Sequence, residues 1–497
     1  MSVTRTPSEE TGGAPLVTGP DQATPPRRRP LPGIHRVLVA GLGRSGAGAA
    51  LALARRGHQV LAVDEANPDA VAERAVGLRA SGVDVRVAAA VPHVLPPDLD
   101  LVVTSPGWHP DHPLLLAAAQ AGIPVWGEVE LAWRLRPAGQ PWLAVTGTNG
   151  KTTTVTMLAA ILTADGRRAV AAGNVGTPLV EVVDAEPPYD TLAVELSSFQ
   201  LHWAPSVAPV AATVLNLAPD HLDWHGSWEA YVADKARIWA HPTTVRVANA
   251  DDAWSMRLAH ADAPAGTRVV TVTRGSPGPG QVGLDGAVLV DRAFTRPDAP
   301  VELARVTDLP SQAPHVVTDA LAAAALARAG GVAPHVVAEG LRATRLDGHR
   351  IEHVATVGGV SYVDDSKATN AHAAQASIDG FDHVVWVAGG LAKGATFDDL
   401  VRHVAPRLRG VVLIGRDKGL LAAALARHAP QVPVIEVVGA QTDVMRSVVA
   451  AAAGLARPGD TVLLAPACAS MDLFTDYAAR GDLFAAAVRE LAAGGAP

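Results

Sequence analysis

The sequence predicts an α/β protein of three domains: a Rossmann-like N-terminal domain, a central P-loop ATPase-like α/β domain with a small antiparallel addition, and a C-terminal Rossmann-like doubly wound parallel sheet. Three observations carry this. A short apolar strand runs into a glycine turn and an alanine-rich helix at 35–56, and a second strand runs into a different glycine turn at 142–153. From about 346 onward, strand-like runs alternate with helical stretches to the end. With 497 residues the chain exceeds one ordinary core. The expected domains are 34–127, 128–345 and 346–497, behind a disordered tail at 1–33.

Composition narrows the class of function. Hydrophobic residues make up 48 % and charged residues 18 %, so disorder of the whole chain is excluded. The formal net charge of -8, without a dense basic stripe, argues against a nucleic-acid binder; small-molecule partners and a monomer are expected. The single cysteine, Cys468, rules out an internal disulfide framework and fits a reducing cytoplasm, the expected location. It follows an apolar strand in Pro466-Ala-Cys-Ala-Ser470 and reads as a small buried thiol. No apolar run reaches the ~18 residues of a membrane span. The first residues are rich in Pro, Gly, Thr and Ser and carry Arg27-Arg28-Arg29, but lack the apolar stretch of a signal peptide.

The first domain opens with the strand His35–Ala40, the turn Gly41-Leu-Gly-Arg-Ser-Gly46 and a helix to Arg56. A second strand, 59–63, ends at Asp64, and Leu101-Val-Val-Thr-Ser-Pro-Gly107 reads as a later strand ending in a turn. This is a βαβ unit whose helix N-terminus offers unpaired N–H groups to a phosphate. A lone glycine turn of this kind fits a nicotinamide dinucleotide, another phosphate ligand, or no ligand.

The second domain opens with Trp142-Leu-Ala-Val145 and Thr146-Gly-Thr-Asn-Gly-Lys-Thr-Thr153, then a helix from about Thr152. A strand entering a glycine loop that ends in Gly-Lys-Thr is the P-loop arrangement: backbone N–H groups cradle phosphates, the lysine reaches the terminal ones and the hydroxyl holds magnesium. The match is incomplete, since Val145 stands where the strict pattern has glycine. Next, Thr191-Leu-Ala-Val-Glu-Leu-Ser-Ser-Phe-Gln200 delivers Glu195 and Ser197 at a strand's C-terminal end, and a strand at 209–215 runs into Asn216-Leu-Ala-Pro-Asp-His-Leu-Asp-Trp-His225. Glu195 and His221 are therefore candidates to meet at one metal ion beside the phosphates. Lys235 follows on a helix from about Ser227, with Tyr231 one turn earlier. Asp285-Gly286 marks a hairpin in the antiparallel addition.

In the third domain, strands are expected at 360–363, 383–387, 411–414, 434–438 and 461–464. Its motifs, at 364–370, 389–394 and 466–470, all fall at strand C-terminal ends, where open α/β sheets place ligands.

Lysine usage singles out residues within these motifs. The chain has only five lysines, among 41 basic residues. Lys151, Lys235, Lys367 and Lys393 all lie in the motifs above, and only Lys418 has no evident chemical setting. Lysine differs from arginine as a compact ammonium whose neutral amine can react. Four such positions point to a site that handles anions.

Taken together, Gly147-Thr-Asn-Gly-Lys151, Glu195-Leu-Ser-Ser-Phe-Gln200, Asp220-His-Leu-Asp223, Asp365-Ser-Lys-Ala-Thr-Asn370 and Pro466-Ala-Cys-Ala-Ser470 with Arg480-Gly481 resemble the Mur ligases of peptidoglycan synthesis, and among them those that add D-glutamate. The resemblance runs from about residue 35 to the C-terminus. It implies a cytoplasmic ATP-dependent ligase in which a carboxylate of a UDP-linked muramoyl substrate becomes an acyl phosphate and then an amide. It also implies residue roles. Gly147, Thr148, Asn149, Gly150, Lys151, Thr152, Thr153, Arg350 and Asp365 would bind ATP, with two magnesium ions served by Thr152, Glu195, His221 and Lys235. Lys235 would carry carbon dioxide as a carbamate, and Lys367 would lie at the reacting centre. Gly43, Arg44, Ser45, Asp64, Ser105, Asn174 and Ser197 would receive the UDP substrate. His349, which with Arg350 resembles a pair that meets the nucleotide, would join Thr369, Lys393, Ser470 and Tyr477 around D-glutamate. The Asn-Pro-Arg signature of relatives that add a diamino acid is missing, which favours D-glutamate.

Two departures stand out. Relatives carry a His-Asn pair and a further Asn where adenine is contacted, but this stretch is His315-Val-Val-Thr-Asp319, and Leu391 stands where some relatives have an acid. Three alternatives remain: a folylpolyglutamate-type ligase, a non-catalytic nucleotide-binding regulator, and a nicotinamide oxidoreductase.

Overall fold

Apolar runs bounded by glycine turns become the strands of three sheets in this computed structural model, which describes residues 28–65, 68–88, 95–241, 245–296, 299–346, 348–438 and 441–494. The first sheet is parallel, with five strands in the order Asp84–Val87, Gln59–Asp64, Arg36–Ala40, Leu101–Thr104, Val125–Gly127. Its strand order reverses between Arg36–Ala40 and Leu101–Thr104, so the Gly41 turn and Ser105 face one crevice at the switch point. Of the expected tail, residues 1–27 lie outside the described residues. Residues 28–33 lie along the protein: Leu31 is buried, its N–H donates to His58 Nε2 at 3.1 Å, and Arg28 pairs with Asp184 at 2.5 Å.

The central sheet has nine strands, and its order places Trp142–Thr146 between Ala211–Val214 and Thr191–Glu195. The ends of these three strands supply the P-loop, the His221 loop and Glu195, so side chains far apart in sequence share one edge. The expected antiparallel addition is the far end of this same sheet. Gln281–Asp285 pairs parallel to Arg268–Thr273, then turns antiparallel to Val288–Asp291, which pairs in turn with Val301–Arg305. Helices Lys151–Ala164, Pro314–Ala329 and Pro334–Ala343 cover one face. Alanine allows close approach there: every residue from Ala320 to Ala327 is fully buried.

The third sheet has six strands in the order Glu352–Val357, Val360–Asp364, Thr461–Leu464, Val384–Gly389, Leu408–Ile414, Val434–Glu436. Five are parallel, as expected. The edge strand Glu352–Val357 is not; it forms an antiparallel hairpin with Val360–Asp364. Gly358 and Gly359, at φ +58° and +80°, make a turn that needs two left-handed residues, and this Gly-Gly signal explains a strand the periodicity missed. Among the described residues, no helix is long and apolar enough to cross a membrane.

Close helix packing on the central sheet is testable at Gly340. A Cβ there would lie 2.3 Å from Ile161 Cα, so Gly340→Ala must push two helices apart. The variant is expected to lose about 1–3 kcal/mol in denaturant unfolding.

Candidate active site

Gly150, at φ +84°, caps the helix that starts at Lys151, and the loop before it bends around its own carbonyls. Lys151 Nζ donates to Gly147 O at 3.0 Å and to Thr148 O at 2.9 Å. Lys235, on the helix Trp228–Ala236, is 2 % exposed, and its Nζ donates to the same Gly147 O at 2.8 Å. Two lysine nitrogens thus meet on one carbonyl. Burial, then the charge of Lys151, holds Lys235 well below an ordinary lysine, while Asp220 and Glu195 pull the other way. Burial also lowers Lys151.

The rest of the loop is fixed by neighbours. Thr148 Oγ1 lies 2.8 Å from Tyr231 Oη and accepts from Ala218 N at 2.9 Å, and Asn149 N donates to Asn216 Oδ1 at 2.9 Å. Thr152 and Thr153 are buried in the first helical turn. Glu195, also buried, accepts at Oε1 from Asn174 Nδ2 at 2.9 Å, while its Oε2 has no hydrogen-bond partner. Ser197 caps the helix Ser198–His202 by accepting from Gln200 N. His221 stands in a left-handed conformation, φ +53°, with Nε2 3.7 Å from Asp220 Oδ2. Its imidazole is held low by burial against the pull of Asp220, with Lys393, Lys151 and Lys235 adding to the lowering.

Those interactions bring Lys151, Lys235, Glu195, His221 and the third domain's Lys393 into one electrostatic neighbourhood. Arg350 reaches it too, acting on Lys151, Asp319 and Asp365. Across the domain boundary, Asn149 and Asn370 exchange hydrogen bonds at 3.3 and 3.0 Å, and Asn149 Nδ2 lies 2.9 Å from His372 Nδ1. Burial raises the Asp365 carboxyl to about 6, against the lowering pull of the hydrogen bond from Ser377.

Around the third-domain edge, Lys367 Nζ lies 5.0 Å from the centre of the Tyr477 ring, Lys393 is exposed at φ +49°, Thr369 is half-buried and Ser470 buried. His349 is tied elsewhere: its Nδ1 is 2.7 Å from Asp364 Oδ2, and the ring packs on Gly481. Arg480, 1 % exposed, donates to Ser366 O at 2.7 Å and to Cys468 O at 3.1 Å, clamping two motif loops together. Cys468 is fully buried and its thiol is pushed up to about 12 by burial, so it packs and does not react. At the first-domain crevice, Gly43 caps the helix of Arg44 and Ser45, Asp64 accepts from Leu42 N, and Ser105 Oγ donates to Gly41 O at 3.3 Å. Arg44 donates to Gly176 O at 2.7 Å, joining this crevice to the central domain.

Three family models match in succession: Mur ligase MurD-like, N-terminal domain over residues 35–127, Mur ligase middle domain over 145–294, and Mur ligase, glutamate ligase domain over 349–468. A Streptomyces avermitilis protein named UDP-N-acetylmuramoylalanine--D-glutamate ligase is 57 % identical over 461 residues, covering 92 % of this chain and 98 % of its own. The chain belongs to the Mur ligase family. A relative of the same name from Mycolicibacterium smegmatis is 50 % identical to this Mur ligase, covering 93 % of this chain and 97 % of its own. The fold is shared with a pseudomurein peptide ligase type C from Methanothermus fervidus, at TM-score 0.56 and 16 % identity over 92 % of this chain and 100 % of that one.

The ligase also differs locally from what sequence could foresee. Asp319 is buried against the P-loop, where a Cβ on Gly150 would lie 2.2 Å from its Oδ1. Burial raises its carboxyl to about 8, despite Arg350 and Lys151. The sequence showed this position only as a missing asparagine. Asn216, Asn370 and His372 were passed over because a contact between Asn149 and Asn370 spans 221 residues and leaves no local spacing.

An acid whose folded value lies near 8 and whose ordinary value is 3.8 binds its proton more tightly in the native state. Native stability is therefore lost as pH rises between those values. Asp319→Asn removes that loss and is expected to gain about 1–3 kcal/mol at pH 8, a gain that shrinks towards pH 4 in thermal melts of the nucleotide-free protein.

Proposed function

We propose that this Mur ligase joins D-glutamate to UDP-N-acetylmuramoyl-L-alanine with ATP, as the names of its close relatives describe for those proteins. The observation that carries the reading is the meeting of Lys151 and Lys235 on the Gly147 carbonyl. Burial and the neighbouring Lys151 charge favour the neutral amine of Lys235, so the pair sets one cation and one reactive amine beside the phosphate loop. In the reaction a carboxylate oxygen of the UDP substrate attacks the γ-phosphorus, and the bond to the bridging oxygen breaks to release ADP. The amine of D-glutamate then attacks the acyl carbon, and phosphate leaves with loss of one proton.

The residue roles proposed here are those the family resemblance implies, and the placement of the side chains supports them. Gly147, Thr148, Asn149, Gly150, Lys151, Thr152 and Thr153 cradle the phosphates, with Arg350 and Asp365 at the nucleotide from the third domain. Lys151 neutralises charge at the γ-phosphate. Gly43, Arg44, Ser45, Asp64 and Ser105 receive the UDP part at the first-domain crevice. Asn174 and Ser197 stand nearer the acyl end, although the Ser197 oxygen is already engaged as a cap. Lys367, Thr369, Lys393, Ser470 and Tyr477 line the side from which D-glutamate enters. His349 serves this side as a support, given its hold on Asp364.

Magnesium suits the residues present. Glu195 Oε2 is a buried carboxylate oxygen without a partner, but no group of three His, Cys, Asp or Glu among the described residues is placed to hold an ion. Glu195 and His221 therefore need another oxygen, and Lys235 supplies one if its neutral amine adds carbon dioxide, releasing a proton, to become a carbamate. Its depressed pKa supports that step. Ions held there and at Thr152 would neutralise phosphate and acyl oxygens. We further propose a monomer in the cytoplasm, with domains at 34–127, 128–345 and 346–497 and a third domain that swings onto the central one when substrates bind.

Phosphate release from ATP with UDP-N-acetylmuramoyl-L-alanine tests the assignment. D-glutamate is expected to support turnover, while L-glutamate, L-lysine and diaminopimelate do not; equal rates with diaminopimelate would overturn it. Lys235→Ala is expected to lower kcat by roughly 10²–10³-fold. A small carboxylic acid should restore part of the activity, and undiminished activity of the variant would refute a role for the amine.

A further inference from the structure

Three side chains outside the set assigned above form one hydrogen-bonded line behind it. Asp234 precedes Lys235 on its helix, His225 ends the short helix Leu222–His225 that follows His221, and Ser198 begins the helix that follows Glu195. Asp234 and Ser198 are 5 % and 2 % exposed, and the His225 side chain is fully buried. His225 Nδ1 lies 3.0 Å from Asp234 Oδ2, and its Nε2 lies 2.9 Å from Ser198 Oγ. A carboxylate only accepts, so Nδ1 carries the proton and donates to Asp234, leaving Nε2 to accept from the Ser198 hydroxyl. His202 Nδ1, at the other end of the Ser198 helix, lies 2.9 Å from Asp234 Oδ1, and Arg237 Nε lies 3.1 Å from the same oxygen.

The order Ser-His-Asp is that of a hydrolase triad, but Ser198 is closed off from solvent, and the Phe199 ring stacks on His225 at 5.4 Å. Its geometry serves position instead. The three helices have only five, four and nine residues, too short to hold their own direction in water. Each carries, or directly follows, one of Glu195, His221 and Lys235.

We propose that Ser198, His225 and Asp234 are positioning residues that set the mutual spacing of Glu195, His221 and Lys235. The proposal rests on the assignment of those three to the reacting centre. A displacement of about 1 Å among reacting groups costs on the order of 10²-fold in rate, so a tie between three short helices has catalytic weight.

His225→Phe removes both bonds and keeps the stack on Phe199, while Ser198→Ala removes one bond with almost no change of shape. Both are compared with the wild-type full chain in three measurements: Mg2+ binding by calorimetry, the carbamate carbon resonance after equilibration with 13C-bicarbonate, and KM for D-glutamate. His225→Phe is expected to weaken Mg2+ binding at least about tenfold and to reduce the resonance, with KM for D-glutamate unchanged. Ser198→Ala should move the same quantities by about threefold. Wild-type Mg2+ binding and resonance in both folded variants overturn the proposal, as does an equal loss for every ligand together with a lower melting temperature. Should His225→Phe not fold, Ser198→Ala decides. A wild-type protein without the resonance refutes the carbamate reading of Lys235 and leaves Mg2+ binding to judge the positioning role.

Discussion

One carbonyl, that of Gly147, accepts hydrogen bonds from two buried lysine side chains, and the centre of the molecule is arranged around that contact. Bringing Lys151 and Lys235 this close costs free energy twice, through desolvation and through mutual repulsion. A lower lysine pKa reduces that cost by shedding charge. Asp220 and Glu195 offset part of it from the carboxylate side.

Everything else about the architecture brings charge of either sign to that contact. The central sheet sets Trp142–Thr146 between Thr191–Glu195 and Ala211–Val214, so three loops open on the same edge. The third domain adds Lys393 and Arg350 from its own strand-end loops, and Arg480 keeps two of those loops in step from inside the core. The first domain joins through Arg44 on Gly176 and through Arg56 and Arg28 on Asp184. Arginine makes the ties between the first and central domains, a use that suits the guanidinium fork.

Much of this was legible in the amino-acid order. Strand-then-glycine patterns located the P-loop and the first-domain turn, and scarcity made each lysine conspicuous. Strand-end placement located Glu195 and His221. The parts that escaped have physical causes. The strand Glu352–Val357 was hidden because its signal lay in the Gly358-Gly359 turn, while its own residues alternate too weakly to register. Asp319 could be seen as a departure, but its burial against Gly150 joins a helix to a loop far upstream in sequence. The role of Asp234 leaves no local signal, because its partners His202 and His225 come from two other helices.

The pairing of Asn149 with Asn370 has a consequence for how the molecule moves. Both partners are uncharged amides, and each such bond contributes only about 0.5–1.5 kcal/mol net, since water offers equivalent partners when they part. A carboxylate clasped by a guanidinium at the same place would hold the nucleotide loop and the third domain as one rigid piece. Two amides instead make a seam that costs little to part.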